Sequence, residues 1–266
     1  MSDRVSPRTD HVQSLERGLK VLHILGSERR ALTIKEVADA AGLTRATARR
    51  FLLTLARLEY VGMSGNLFFL RPKVLEMGLA YLSGLSFADR ARPHMAALVA
   101  ELNETSALAV LDDTEIVHVA IAGSRRVLAI EVAVGTRLPA HATSMGRVLL
   151  AALPVEDRDD RLERSVSRRH EHPPRRMDPP ESLHGMLDDV RERGWAIADQ
   201  ELEEGVRSIA VPIRDHTGAV IAAMNVAAIA GRAATSDLVD RFLPRLRIAA
   251  AALETDLRGG DGWPFT

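Results

Sequence analysis

The sequence predicts an α+β chain, in which an N-terminal winged helix-turn-helix precedes a larger unit with an antiparallel sheet flanked by helices. Three observations predict it. A Thr-capped helix, a glycine stop and a second Thr-capped helix follow one another within residues 33–58. A hairpin signal comes directly after them. From Phe87 onward, short β-type runs appear in pairs around turn residues, and such paired hairpins exclude a doubly wound parallel sheet.

Size and composition bound the rest. The 266 residues are 46% hydrophobic and 27% charged, enough for one or two domains with buried cores. There is no cysteine, which excludes disulfides, thiolate zinc sites, iron–sulfur clusters and cysteine nucleophiles. That composition suits a reducing cytoplasm, the expected location. The start, MSDRVSPR, has no apolar stretch of a secretory signal. The longest apolar run, Ala219–Ile229, is too short for a span of roughly 18 residues, so no membrane is expected as a partner. The net charge of −1 hides an asymmetry. Residues 1–75 hold thirteen Lys/Arg against seven Asp/Glu, a net +6, which leaves −7 for the remainder. A basic head on an acidic body suits an anionic partner for the head alone, although chance clustering gives the same numbers.

Residues 1–12 are polar and read as a flexible arm. Leu15, Leu19, Val21, Leu22 and Leu25 have helical spacing over Gln13–Leu25, with Ser14 as its cap. Thr33-Ile-Lys-Glu36 is a capping box that opens a second helix, with Val37, Ala40 and Ala41 as its stripe and Gly42 as its stop. Thr44 caps a third helix, Arg45–Leu58. At 100° per residue, Ala48, Phe51, Leu52, Leu55 and Leu58 share the side that must be buried. Arg49, Arg50, Thr54 and Arg57 point away, and Thr44, Arg45 and Thr47 crowd the first turn. Arg can fork to guanine and Thr can meet phosphate or a thymine methyl, so this face suits a DNA major groove. A solvated Arg-rich face reads the same on a helix taken alone. The extended runs around Ser64-Gly65-Asn66 add the wing, with Arg71 and Lys73 at its exit, and close a unit of residues 13–71.

Pro72 opens a linker helix over residues 72–86, whose apolar strip can pack against its own copy or against the neighbouring domain. The second unit, residues 87–258, begins with a helix near Ala88–Leu102. Strands follow at Ser106–Leu111, Ile116–Ala122 and Val127–Val132. A helix begins near Thr143 or Ser144; a short helix and a loop fill Val155–Pro180; another helix spans Pro180–Arg193. Strands at Trp195–Asp199, Val206–Ile213 and Ala219–Ala228 precede a long helix, Thr235–Leu257, and residues 259–266 form a tail.

No nucleophile elbow, phosphate loop or dinucleotide fingerprint is present, so no catalytic residue is assigned. His170-Glu171-His172 lies beside Pro173-Pro174 without a third ligand at useful spacing, so neither a metal nor another cofactor is assigned. Glu201, Glu203 and Glu204 read as a solvated acidic run. Thr143-Ser144-Met145-Gly146 presents a helix start, two hydroxyls and free N–H groups, which suit a carboxylate as well as plain capping. Ser208 and Asn225 are polar residues in apolar strands and need partners, from the protein or from a ligand.

Four ordered motifs carry a family resemblance. They are QSLERG at Gln13–Gly18, LTRATARRFLLTL at Leu43–Leu55, ATSMGRVLL at Ala142–Leu150 and DQELEEGVRSIAVP at Asp199–Pro212. Together they resemble the IclR-type transcriptional regulators, and most of all the branch of the PcaR, PcaU and PobR regulators of aromatic catabolism through the β-ketoadipate pathway. The resemblance implies a PAS/GAF-like effector-binding domain, operator DNA as partner and a homodimer that can pair into a tetramer. It implies DNA contacts by Thr44, Arg45, Thr47, Arg49, Arg50 and Thr54. It implies an effector site at Thr143, Ser144, Met145, Gly146, Asp199, Ser208 and Asn225. Because the second domain is net negative, the site must favour an anion locally, and helix-end dipoles, hydroxyls and Arg137 or Arg207 can do this. The effector implied is a small organic acid, either an aromatic acid or a β-ketoadipate-like dicarboxylate. His141 and Gly231–Ala234 depart from the pattern. A regulator of another pathway that senses another carboxylate, or an enzyme with a DNA-binding appendage, are the competing readings.

Overall fold

The computed structural model describes residues 11–28, 30–123, 132–176 and 180–258. The chain divides into two units, Met1–Ser83 and Gly84–Thr266. The expected arm at residues 1–10, the tail at 259–266 and most of the expected strand Val127–Val132 lie outside the described residues.

In the first unit, α1 (Gln13–Ser27), α2 (Ile34–Ala41) and α3 (Arg45–Arg57) pack over a small sheet. Its strands are β1 (Leu32–Thr33), β2 (Val61–Ser64) and β3 (Leu67–Leu70), ordered β1-β3-β2 and antiparallel throughout. The capping box forms as the spacing requires. Thr33 N–H donates to Glu36 at 2.8 Å, and Glu36 N–H donates to the Thr33 hydroxyl at 3.3 Å. Arg30 adds a 2.9 Å bond to the same carboxylate. The Thr33 backbone and side-chain bonds and Arg30 together hold the Glu36 carboxyl at about 2. Gly42 takes φ +68°, the left-handed turn that stops α2.

Several expectations are corrected here. The α1 helix is capped at Val12 and makes no side-chain cap bond, so Ser14 lies inside the helix. Its buried residues are Val21, Ile24 and Leu25, whereas Leu15 is 62% exposed and Leu19 55%. In α2 it is Ala38 that is buried in place of Ala40. Leu58 caps α3 at its C-terminus and is 52% exposed. β1 is an extra strand that the two-residue signal at Leu32–Thr33 was too short to announce.

After a short 3-10 turn at Pro72–Val74 comes α4 (Leu75–Gly84). The second unit opens with α5 (Ser86–Leu102). Its six-stranded sheet is antiparallel, in the order β6-β5-β4-β9-β8-β7. The strands are β4 (Thr105–Asp112), β5 (Glu115–Ala122), β6 (Arg137–Pro139), β7 (Ala196–Asp199), β8 (Val206–Arg214) and β9 (Val220–Ile229). β6 is a further strand, three residues long, between the expected strand at Val127–Val132 and the helix start at Thr143. The final helix is broken into α9 (Thr235–Asp237), a π turn at Leu238–Phe242 and α10 (Leu243–Arg258). α5 and α10 pack on one face of the sheet, and α6 (Ser144–Ala152) packs on the other. α7 (Val155–Ser167) and α8 (Pro180–Arg193) pack against α6.

Close approach of α6 follows from small residues. Ala107, Ala109, Ala210 and Ala223 line the sheet face beneath it. A Cβ on Gly146 would lie 2.1 Å from the Ala140 carbonyl oxygen, a backbone atom that cannot swing aside. Gly146→Ala is therefore expected to lower stability by about 1–3 kcal/mol through overpacking, read as a loss in midpoint on denaturant unfolding; a midpoint equal to wild type would contradict the packing role. The capping box yields a second prediction. Glu36 has a folded pKa below its ordinary 4.5, so its stabilisation is full above about 4.5 and fades as pH falls through about 2. The stability gap between wild type and Glu36→Gln should thus be widest near neutrality and shrink in acid; a pH-independent gap would refute this.

Candidate functional site: an exposed basic helix face and a donor-lined cavity

α3 is fastened on one side and open on the other. Ala48, Leu52 and Leu55 are buried in the core of the first unit, with Phe51 packed against it. Thr44 caps the helix through a 3.2 Å bond from Thr47 N–H, and the two hydroxyls lie 2.9 Å apart. Thr54 donates its hydroxyl to Arg50 O at 2.8 Å. Arg45, Arg49, Arg50 and Thr54 are exposed, and Thr47 is half-buried. The exposed face is split. Thr47, Arg50 and Thr54 border a groove that α1 closes with Arg17, while Arg45 and Arg49 stand outside it.

Several other cations of the first unit have partners. Arg30 meets Glu36, Lys35 meets Asp39, and Arg71 and Lys73 both face Glu59 at 3.6 and 3.9 Å. Arg45, Arg49, Arg50 and Arg57 have no carboxylate partner among the described residues. Four uncompensated guanidinium groups on one short helix are an anion-binding surface, whereas the two wing cations are partly neutralised.

The second site is a cavity of about 80 Å³ between the sheet, the start of α6 and the 200–203 segment. Thr143, Ser144, Met145, Ser208 and Asn225 all line it. Thr143 spends its hydroxyl on capping, accepting from Gly146 N–H at 3.1 Å. The Ser144 and Ser208 hydroxyls share one 2.8 Å bond, so one hydroxyl proton of the pair is left to donate outward. Asn225 Oδ1 accepts from Ala107 N–H at 2.9 Å, which leaves the amide NH₂ of a buried residue as a donor. This wall is therefore rich in donors and suits a carboxylate.

The other named residues do not line the cavity. Gly146 is turned against Ala140. Asp199 bonds Arg207 at 2.6 Å and Thr235 at 3.1 Å. Burial pushes the Asp199 carboxyl up, but its bonds from Arg207, Thr235 and Gln200 outweigh this and hold it below its usual range. Arg207 is thus committed to Asp199, and Arg137 is committed to Asp112 and Glu115 at 2.7 and 3.0 Å. Both ring nitrogens of His170 face protein acceptors, Glu115 at 3.0 Å and Ser165 O at 2.6 Å. His141 is buried and bonds Ser165 Oγ through Nδ1 at 2.8 Å.

Two lining residues escaped the sequence reading. Glu201 is not a solvated charge: its carboxylate forms a buried pair with Arg147, one bond being 2.7 Å. His118 lines the cavity from β5, and no motif or spacing marks it. Its only cue is a histidine within an apolar strand, the same cue that picked out Ser208 and Asn225.

The IclR helix-turn-helix domain matches residues 14–62, and the C-terminal domain of the bacterial transcriptional regulator IclR matches residues 79–255. The chain is 40% identical over 251 residues to the Pca regulon regulatory protein of Pseudomonas putida, covering 94% of this chain and 86% of that one. It is 33% identical to the p-hydroxybenzoate hydroxylase transcriptional activator of Acinetobacter baylyi, covering 92% and 91%. An IclR homologue from Microbacterium hydrocarbonoxydans, solved in complex with 4-hydroxybenzoate, superposes with a TM-score of 0.77 at 27% identity, covering 93% of this chain and all of that one. Donor-lined pocket, uncompensated recognition-type helix and matching sequence over both units converge, and the chain belongs to the IclR family of bacterial transcriptional regulators.

Proposed function

We propose that this regulator controls an aromatic-acid catabolic operon and responds to a small organic acid bound in the second unit. Regulators of the Pca regulon and of p-hydroxybenzoate hydroxylase are among its relatives, and a homologue binds 4-hydroxybenzoate, which supports that reading. In it, α3 enters the major groove of operator DNA. Arg45, Arg49 and Arg50 reach base edges or phosphates, and Thr44, Thr47 and Thr54 add short polar contacts. The observation that carries the reading is the row of guanidinium groups without carboxylate partners on the outer face of α3.

The effector sits against Ser144, Met145, Ser208 and Asn225, and Thr143 and Gly146 fix the helix start behind them. Asp199 acts from outside the cavity, by holding Arg207 and the end of β7. The protein acts in the cytoplasm as a homodimer or a pair of dimers. Leu75, Met77, Leu79 and Tyr81 on α4 are exposed large apolar side chains, a composition that suits packing against a second copy.

Arg50→Ala is expected to weaken operator binding by about tenfold or more while leaving effector affinity unchanged, by mobility-shift and calorimetric titration. Wild-type affinity for the operator should also fall steeply with salt, as phosphate contacts require. Operator affinity unaltered by the substitution would remove Arg50 from the reading face.

A further inference from the structure

We propose that His118 sets the specificity of the cavity, its Nε2 accepting a hydrogen bond from a ring hydroxyl of the effector, so that the ligand is a hydroxylated aromatic monocarboxylate. This rests on the effector reading above and narrows it. Four observations carry it.

The first is the tautomer. His118 Nδ1 lies 3.1 Å from Thr136 O, and a carbonyl oxygen can only accept. Nδ1 therefore holds the ring proton. Burial, only partly countered by that bond, pulls the imidazole down to about 4, so near neutrality the ring is uncharged. Its Nε2 is then an acceptor and nothing else. The main chain beneath the ring is held as well: His118 N–H donates to Thr136 O at 3.1 Å and Gly135 N–H donates to His118 O at 2.8 Å.

The second is a β-bulge. β4 and β5 pair Leu108 with Ala120 and then Ala109 with His118, which leaves Val119 as an extra residue. A bulge reverses the alternation of side chains along a strand. Here it turns His118 to the face that also carries Ala107, Asn225 and Ser208. Without it, His118 would point toward the opposite face of the sheet.

The third is the span. His118 stands on β5, Asn225 on β9 and Ser208 on β8, two and three strand positions away. At about 4.8 Å between strands, that is roughly 10 and 14 Å across the sheet. Once side chains and one hydrogen bond at each end are subtracted, what remains suits a single ring with a carboxylate at one end and a hydroxyl toward the other.

The fourth is charge. Donors line the Ser144–Ser208–Asn225 wall, whereas Glu201 and Glu203 join His118 among the other lining residues. No Lys or Arg is among the described residues that line the cavity. A second carboxylate on the ligand would meet the His118 acceptor and find no Lys or Arg among the described lining residues to pair with, while a hydroxyl proton meets the partner it needs.

Calorimetric titration of the full chain tests this with benzoate, 4-fluorobenzoate, 3-hydroxybenzoate, 4-hydroxybenzoate and β-ketoadipate. Wild type is expected to bind a hydroxybenzoate about tenfold or more tightly than both benzoate and 4-fluorobenzoate, which cannot donate. His118→Phe should bring the ratio to within about twofold. His118→Gln keeps an acceptor and should retain part of the preference. An unchanged ratio in both variants would overturn the role of His118 and leave the effector reading standing. Preference of wild type for β-ketoadipate would overturn the ligand class. Binding of none of the five acids to wild type would overturn the effector reading and this inference together.

Discussion

A single buried guanidinium organises the sensing unit. Arg147 projects from α6 with only 4% of its side chain exposed, so its charge must be neutralised where it lies. Glu201 supplies the opposite charge, and the carbonyls of His141 and Ile197 take further N–H groups at 2.9 and 2.8 Å. Those partners belong to three segments: the turn before α6, strand β7 and the segment over the cavity. One side chain thus fixes the roof, one wall and the helix start relative to each other. Breaking such a pair from one side leaves an uncompensated buried charge, which is why the arrangement is strongly specified. The backbone N–H groups of Arg175 and Arg176 donate to Glu201 O at 2.8 and 3.1 Å, so the roof is tied at its main chain as well.

That constraint explains how an acidic body can hold an anion. Three of its arginines are spent internally: Arg147 on Glu201, Arg137 on Asp112 and Glu115, Arg207 on Asp199. What is left for a ligand is a set of neutral donors at a helix start and in two strands. Neutral donors held rigidly discriminate by geometry rather than by net charge. For such a site to regulate DNA binding, the ligand must favour one arrangement of the protein over another by its differential affinity for the two.

Much of this was legible in residues alone, and the failures have physical causes. The capping box at Thr33 and Glu36, the left-handed Gly42 and the Gly65 turn are local, and local chemistry reads directly from sequence. The buried stripe of α1 was misread because Leu15 and Leu19 border a groove and are not in the core, which hydrophobicity cannot distinguish. In the sensing unit, Thr143–Gly146, Ser208 and Asn225 were visible as polar interruptions and a helix start. The cavity itself brings together Thr143, Ser144, Met145, Ser208 and Asn225, with Gly146 and Asp199 behind it. His118 was hidden because a bulge changes the parity of β5, and strict alternation gives no hint of it. Glu201 was hidden because its partner lies 54 residues away, across the fold.

The central claim is that ligand and DNA are read by one coupled molecule. The most direct measurement is operator affinity of the full chain at fixed low salt, with and without saturating 4-hydroxybenzoate, alongside 4-hydroxybenzoate affinity with and without saturating operator. Linkage requires both ratios to be equal and, for a regulator, to differ from one. The account predicts a shared factor of roughly five or more in either direction. Ratios of one, with both ligands bound, would contradict it.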